Sequence, residues 1–183
     1  MTLATNFKTD SETSQKRFEQ FTRKALEKLG FKNIHSTENR DEPIKKMLDF
    51  AGVDAVAQDD NGLTFLASRI IQKKSYGKDY ENFSFRSKRP TGGKTELPKL
   101  IHNIQSGNPR PIWHVQTTID ENEESASVTV AKTKDVISYV TSHEPKIKTT
   151  DDGTEFWLAP FSDLRRAGVE LKTIRIDGKK ITA

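Results

Sequence analysis

The stretch from Leu48 to Ile71 constrains this chain more than any other. Gly52-Val53-Asp54-Ala55-Val56-Ala57 can form a strand, Asp59-Asp60-Asn61-Gly62 is a strong turn signal, and Leu63 to Ile71 returns as a mostly apolar strand. Two such runs joined through Asn-Gly predict a β-hairpin over about 50–71, and Asn-Gly suits the positive-φ positions of a type I′ turn. The hairpin carries one carboxylate, Asp54, on its first strand and one cation, Arg69, on its second. Strand alternation predicts that Asp54 projects to the face opposite Val53 and Ala55. An acid and a cation on paired strands are the components that hold a divalent metal beside a phosphate.

Other segments have their own periodicities. Phe18, Phe21, Ala25 and Leu29 recur at helical spacing and predict a helix over 14–29, capped by Ser11 or Ser14 and ended by Gly30. A short strand at 31–34 and a polar connection over 35–46 come next. Alternation around Phe83–Arg86 puts Phe83 and Phe85 on one face of a strand. Thr95 can cap a helix through Ile104, with Leu97, Leu100, Ile101 and Ile104 inward and Pro98 tolerated in the first turn. Then follow a central strand at 112–118, an acidic turn at 120–124, a strand at 128–131 and a helix at 135–140. A polar link over 141–153 leads to a strand at 155–158, a short helix at 161–167 ended by Gly168, and a last strand at 171–176. Mixed strands and helices predict an α/β or α+β fold with a central mixed β-sheet flanked by helices. Residues 1–11 read as a flexible tail. Residues 12–183 read as one domain, with a core over 12–140 and a strand–helix–strand extension over 150–176.

Composition bounds the partners. The apolar fraction is 33% and the mean hydropathy −0.74, so the core is modest and leans on ten Phe and two Trp. No apolar run is long enough for a membrane span, and the N-terminus lacks the apolar core of a signal peptide. The absence of cysteine excludes disulfides and thiolate metal sites and is compatible with the cytoplasm. The net charge is +4, but its distribution is more telling than its size. From Arg69 to Lys99, nine basic residues (Arg69, Lys73, Lys74, Lys78, Arg86, Lys88, Arg89, Lys94, Lys99) face three acids (Asp79, Glu81, Glu96), a local charge of nine minus three, or +6. Such a segment attracts a phosphate backbone; a solvated loop is the plain alternative. Tyr76, Tyr80 and Phe83 interleave with these cations, as base-stacking residues do and as packed loops do.

Phe18-Glu19-Gln20 on the first helix, Gly52-Val53-Asp54 on the first hairpin strand and Ala67-Ser68-Arg69 on the second occur in the order of a known constellation. The layout over residues 12–140 resembles the PD-(D/E)XK nuclease superfamily, which includes restriction enzymes and Holliday-junction resolvases. The resemblance implies a restriction-endonuclease-like fold and Mg²⁺- or Mn²⁺-dependent cleavage of duplex or branched DNA, with Asp54 and Glu19 as metal ligands. It implies that Arg69 stands where the family has its Lys, and Ala67 where it has Glu or Gln. It also implies a homodimer. DNA contacts would come from Lys73, Lys74, Arg86, Lys88, Arg89 and Lys94.

Each of these residues has a plainer reading. Asp54 and Glu19 are also ordinary surface acids, with Glu12 a substitute for Glu19, and Arg69 a strand-end Arg paired with an acid. Ala67 leaves three readings open: a non-cutting relative, a substituted Glu or Gln, or another acid (Asp49, Asp59 or Asp60) completing the site. A catalytically dead DNA- or protein-binding relative, such as a regulator or a phage accessory or counter-defence factor, is therefore the alternative function. A purely structural domain with an incidental basic face is the third. His114, on an apolar strand beside Trp113, reads as a satisfied core histidine, and His35, His102 and His143 have no metal-ligand spacing. Neither a phosphate-binding G-x-x-x-x-G-K-[ST] loop nor a G-x-S-x-G elbow is present.

Overall fold

A computed structural model describes residues 12–37, 42–73, 81–93, 95–178 and 180–182. The predicted tail, Lys74, Tyr76, Lys78, Tyr80 and Lys94 lie outside the described residues. Helix α1 runs from 12 to 28, through a π-helical stretch at Phe18–Thr22 and an α-helical end at Arg23–Lys28. Phe18, Phe21 and Ala25 are buried as expected, and Leu26 joins them while Leu29 is only partly covered. The helix is already under way at residue 12, so Ser14 sits inside it and is not its cap. Gly30, at φ 95°, turns the chain out of the helix.

Strands β1 (Lys32–Ser36), β2 (Ala55–Asp59) and β3 (Gly62–Gln72) are antiparallel neighbours. The hairpin is present, but its turn is not type I′. Gly62 has a positive φ (107°), whereas neither Asp60 nor Asn61 does. Instead the Asn61 N–H donates to the Asp59 carboxylate at 2.8 Å, a side-chain turn that needs no left-handed residue.

β3 pairs in parallel with β5 (Trp113–Ile119), and β5 pairs antiparallel with β6 (Ser125–Lys132). With β9 (Lys172–Asp177) and β10 (Lys180–Thr182), they form a seven-stranded sheet in the order β1-β2-β3-β5-β6-β9-β10. A second sheet has the order β4-β8-β7, from β4 (Asn82–Lys88), β7 (Lys146–Thr149) and β8 (Glu155–Pro160). The remaining helices are α2 (Glu42–Phe50), α3 (Glu96–Ser106), α4 (Thr133–Ser142) and α5 (Phe161–Arg166). The fold is α+β, a large mixed sheet flanked by helices. The segment over 150–176 supplies β8 to the small sheet and most of β9 to the large one.

Alternation along the strands builds two cores. On one face of the large sheet, α1 packs against Leu66, Val115, Val128, Val130 and Ile174, and Thr22 and Thr117 share a buried hydroxyl bond of 2.7 Å. On the other face, Phe83, Phe85, Leu97, Leu100, Val136 and Leu164 pack beneath the small sheet and its helices. Phe83 is fully buried there and so is not a base-stacking residue. Thr95 precedes α3 as expected, yet its hydroxyl donates to the Ser87 carbonyl (2.9 Å) and does not cap the helix.

Two elements correct the expected connections. Residues 42–50, within and beyond the expected polar connection, form α2, and Leu48 on it and Ala51 in the turn after it pack with Val53 against Val56 and Phe65. The predicted link at 141–153 contains β7, which pairs with β8 across a turn held by Asp152. Because α1 is anchored by one fully buried ring, Phe21→Ala should destabilise the protein by about 3–5 kcal/mol in chemical denaturation. A cost below about 1 kcal/mol would mean that α1 does not pack as described.

Candidate functional site

Asp54 lies just before β2, at an irregularity in the hairpin. Its N–H donates to the Leu66 carbonyl at 2.9 Å, although Leu66 is the register partner of Ala55. Two residues of one strand thus oppose one of the other, as in a β-bulge, and a bulge redirects side chains. The Asp54 carboxylate lies on the α1 side with Ala55, not on the opposite face as alternation predicted. Its Oδ2 accepts the Ser68 N–H at 2.7 Å. Around it is a cavity of about 180 Å³ lined by Ser14, Gln15, Phe18, Ser36, Ser68 and Ile70. The carboxylate and the neighbouring hydroxyl and amide oxygens are hard donors of the kind Mg²⁺ takes, with one negative charge among the lining side chains.

Arg69 points the other way. Its Nη1 donates to the Ser84 carbonyl of β4 at 2.9 Å, and its guanidinium lies 4.8 Å from the ring centroid of Phe156 on β8. Glu96, at the start of α3, faces this cluster and accepts a long bond from the Arg86 N–H (3.4 Å). Burial lowers the Arg69 pKa and raises that of Glu96, while the charge of each partner opposes the effect of burial on the other. Ala67, two residues before Arg69 on the same face and opposite His114 in register, is also buried. Asp54 and Arg69, expected to share one site, therefore lie on opposite faces of the large sheet. The β3 residue that meets Asp54 is Ser68, which sequence reasoning missed, and its buried Oγ has no partner among the described residues.

Glu19 is occupied on its own helix. It pairs with Arg23, whose Nη2 donates at 3.0 Å, and accepts from Gln15 Nε2 at 3.1 Å. Gln15, not Glu19, lines the Asp54 cavity. Of the substitute acids, Asp59 accepts the Trp113 indole N–H (2.9 Å) at the far end of the hairpin, which holds its pKa below the usual value. Asp49 and Asp60 are exposed. Among the described residues, no three His, Cys, Asp or Glu side chains are grouped to hold a metal.

The expected DNA contacts divide between two places. Arg86 and Arg89 line an open groove of about 740 Å³ with Pro90, Thr91, Thr150, Asp151, Asp152, Thr154 and Phe156. Lys88, beside it, is exposed and pairs with Glu155 at 3.2 Å. Lys73 lies elsewhere, in a cleft on the large sheet. Among the described residues, no helix is long and apolar enough to cross a membrane. No family model, curated protein or solved structure matches the chain.

His114 is a core residue, as expected, but not a satisfied one. It lies against the rings of Phe83 (5.1 Å) and Phe85 (4.6 Å), and neither of its nitrogens has a partner among the described residues. Burial first, and then the charge of Arg69, depress its pKa from 6.5 to about 3. The folded state thus binds fewer protons than the unfolded state between these values, so stability is present above pH 6.5 and is lost as pH falls toward 3. Over that window the loss should be of the order of 4–5 kcal/mol. Denaturation at stepped pH should show this acid decline, and His114→Leu should flatten it; an unchanged decline in the variant would refute the assignment.

Proposed function

We propose that this chain is a DNA-binding protein of PD-(D/E)XK-like layout that does not cut DNA. The resemblance is supported by an α1 helix beside an Asp-bearing hairpin, in the expected order. The observation that carries the non-cutting reading is the placement of Asp54 and Arg69 on opposite faces of the sheet. A metal-dependent phosphodiesterase needs its carboxylates and its cation around one phosphate. Here Arg69 is taken up between two sheets, Glu19 is paired with Arg23, and Ala67 offers no side-chain ligand.

Binding would use the groove beside β4. Arg86 and Arg89 enter no ion pair among the described residues, and Lys88 stands next to them. Contacts of this kind position a backbone and do not read sequence. The exposed Asp54 in its α1-side cavity favours a second reading, a Mg²⁺- or Mn²⁺-dependent endonuclease with Asp54 as metal ligand. A homodimer across the duplex is what the resemblance implies for either reading.

Fluorescence anisotropy with linear and four-way DNA, with and without Mn²⁺, tests both. If Arg86, Lys88 and Arg89 supply three phosphate contacts, affinity should fall about 40-fold between 50 and 200 mM salt. Replacing Arg86 and Arg89 with Gln should reduce that drop to about 3- to 4-fold. Chelation should leave binding unchanged, and no DNA should be cut. Equal affinity at both salt concentrations would end the DNA-binding reading. Mn²⁺-dependent cleavage abolished by Asp54→Asn would replace the non-cutting reading with the endonuclease.

A further inference from the structure

Helix α2 (Glu42–Phe50) holds apolar side chains that packing within this chain does not explain. Leu48 is buried against the large sheet, but Ile44, Met47 and Phe50 are 45%, 64% and 67% exposed. At about 100° per residue, Ile44 and Phe50 lie about 60° to either side of Met47, so the three form one apolar arc. Lys45 and Asp49 fall on the opposite arc, about 160° from Met47. Leu63 widens the apolar surface. It lies two residues before Phe65 on the face of β3 that α2 packs on, and it is 69% exposed.

Together these four side chains leave on the order of 400–500 Å² of apolar surface in water, and patches of that size mark interaction sites. With a mean hydropathy of −0.74, the chain has no surplus of apolar residues to leave outside by default.

The arc on α2 is its own complement. A two-fold axis through Met47, perpendicular to the helix, lays α2 antiparallel on its copy. Met47 then meets its own counterpart, and Ile44 meets the partner's Phe50, a smaller side chain against a larger one. Such a contact is isologous, so one patch serves both copies. It buries no charge, because Lys45 and Asp49 face away and Lys46 at the flank keeps its ammonium in water. We propose that this face joins two copies of the chain into a homodimer through antiparallel α2 helices. Two such faces remove on the order of 1,000 Å² from water, near the lower limit of a specific interface, so the dimer is weak and concentration-dependent. It forms without DNA and away from the groove at Arg86 and Arg89, so its failure would leave the DNA-binding reading untouched.

Sedimentation equilibrium of the full chain, without DNA, tests the proposal. The average mass should rise from 20.7 kDa toward twice that value with concentration. The Kd should lie between about 10 μM and 1 mM. Met47→Glu should weaken association tenfold or more while leaving unfolding curves unchanged, since the side chain is mostly exposed. The chain has no cysteine, so Met47→Cys introduces a single thiol that meets its counterpart across the axis. Diamide should cross-link it efficiently into a disulfide dimer, whereas Asp49→Cys, on the opposite arc, should cross-link at least tenfold more slowly. A monomer at every concentration overturns the proposal, as does a dimer indifferent to Met47→Glu or equal cross-linking of the two thiols. A monomer that floats with lipid vesicles through this face would also overturn it, and would assign the arc to a membrane surface.

Discussion

A guanidinium taken out of water needs acceptors for its N–H groups and a negative charge within reach, and Arg69 finds these between the two sheets. β4 is an edge strand of the small sheet, and its outward backbone groups are met by side chains and not by another strand. The Ser84 carbonyl accepts from Arg69, the Arg86 N–H donates to Glu96, and the Ser87 carbonyl accepts from Thr95. Side-chain partners of this kind satisfy an edge that would otherwise invite pairing with another chain. Phe156 on β8 lies under both guanidinium groups, that of Arg69 at 4.8 Å within the seam and that of Arg86 at 5.7 Å where it lines the open groove, and Glu96 supplies the negative charge that Arg69 needs. The functional reading follows from that seam. A cation that ties two sheets together is not available to a phosphate on the far side of one of them.

The hairpin was legible because its signals are local: two apolar runs and an Asn-Gly pair. Its turn type was not, because Asp59 supplies a side-chain acceptor that stabilises a different geometry from the one Asn-Gly favours alone. The face of Asp54 was misread for a related reason. Strict alternation assumes regular pairing, and one extra residue opposite Leu66 moves the carboxylate to the other side. Helix α2 was hidden by its exposed apolar residues. Ile44, Met47 and Phe50 are exposed, and Leu48 alone among its apolar residues is buried, so no buried apolar stripe marks it. β7 was hidden because all four of its residues are exposed and give no buried-and-exposed rhythm.

The site was partly legible. Asp54 was found from its strand position, and Arg69 was singled out as a residue with an unusual task. That task depends on Ser84, Glu96 and Phe156, which lie between 15 and 87 positions further along the chain and come together only in the fold. Ser68 carried no local signal, because an unpaired polar group is defined by what fails to surround it.

The central claim is that Asp54 and Arg69 belong to separate sites. A double-mutant cycle on unfolding free energy, using Asp54→Asn, Arg69→Met and the pair, measures it directly. Residues without a shared partner act additively to within about 0.5 kcal/mol, and that is the result this account predicts. A coupling above about 1 kcal/mol would mean that the two side chains work on a common site, and would contradict it.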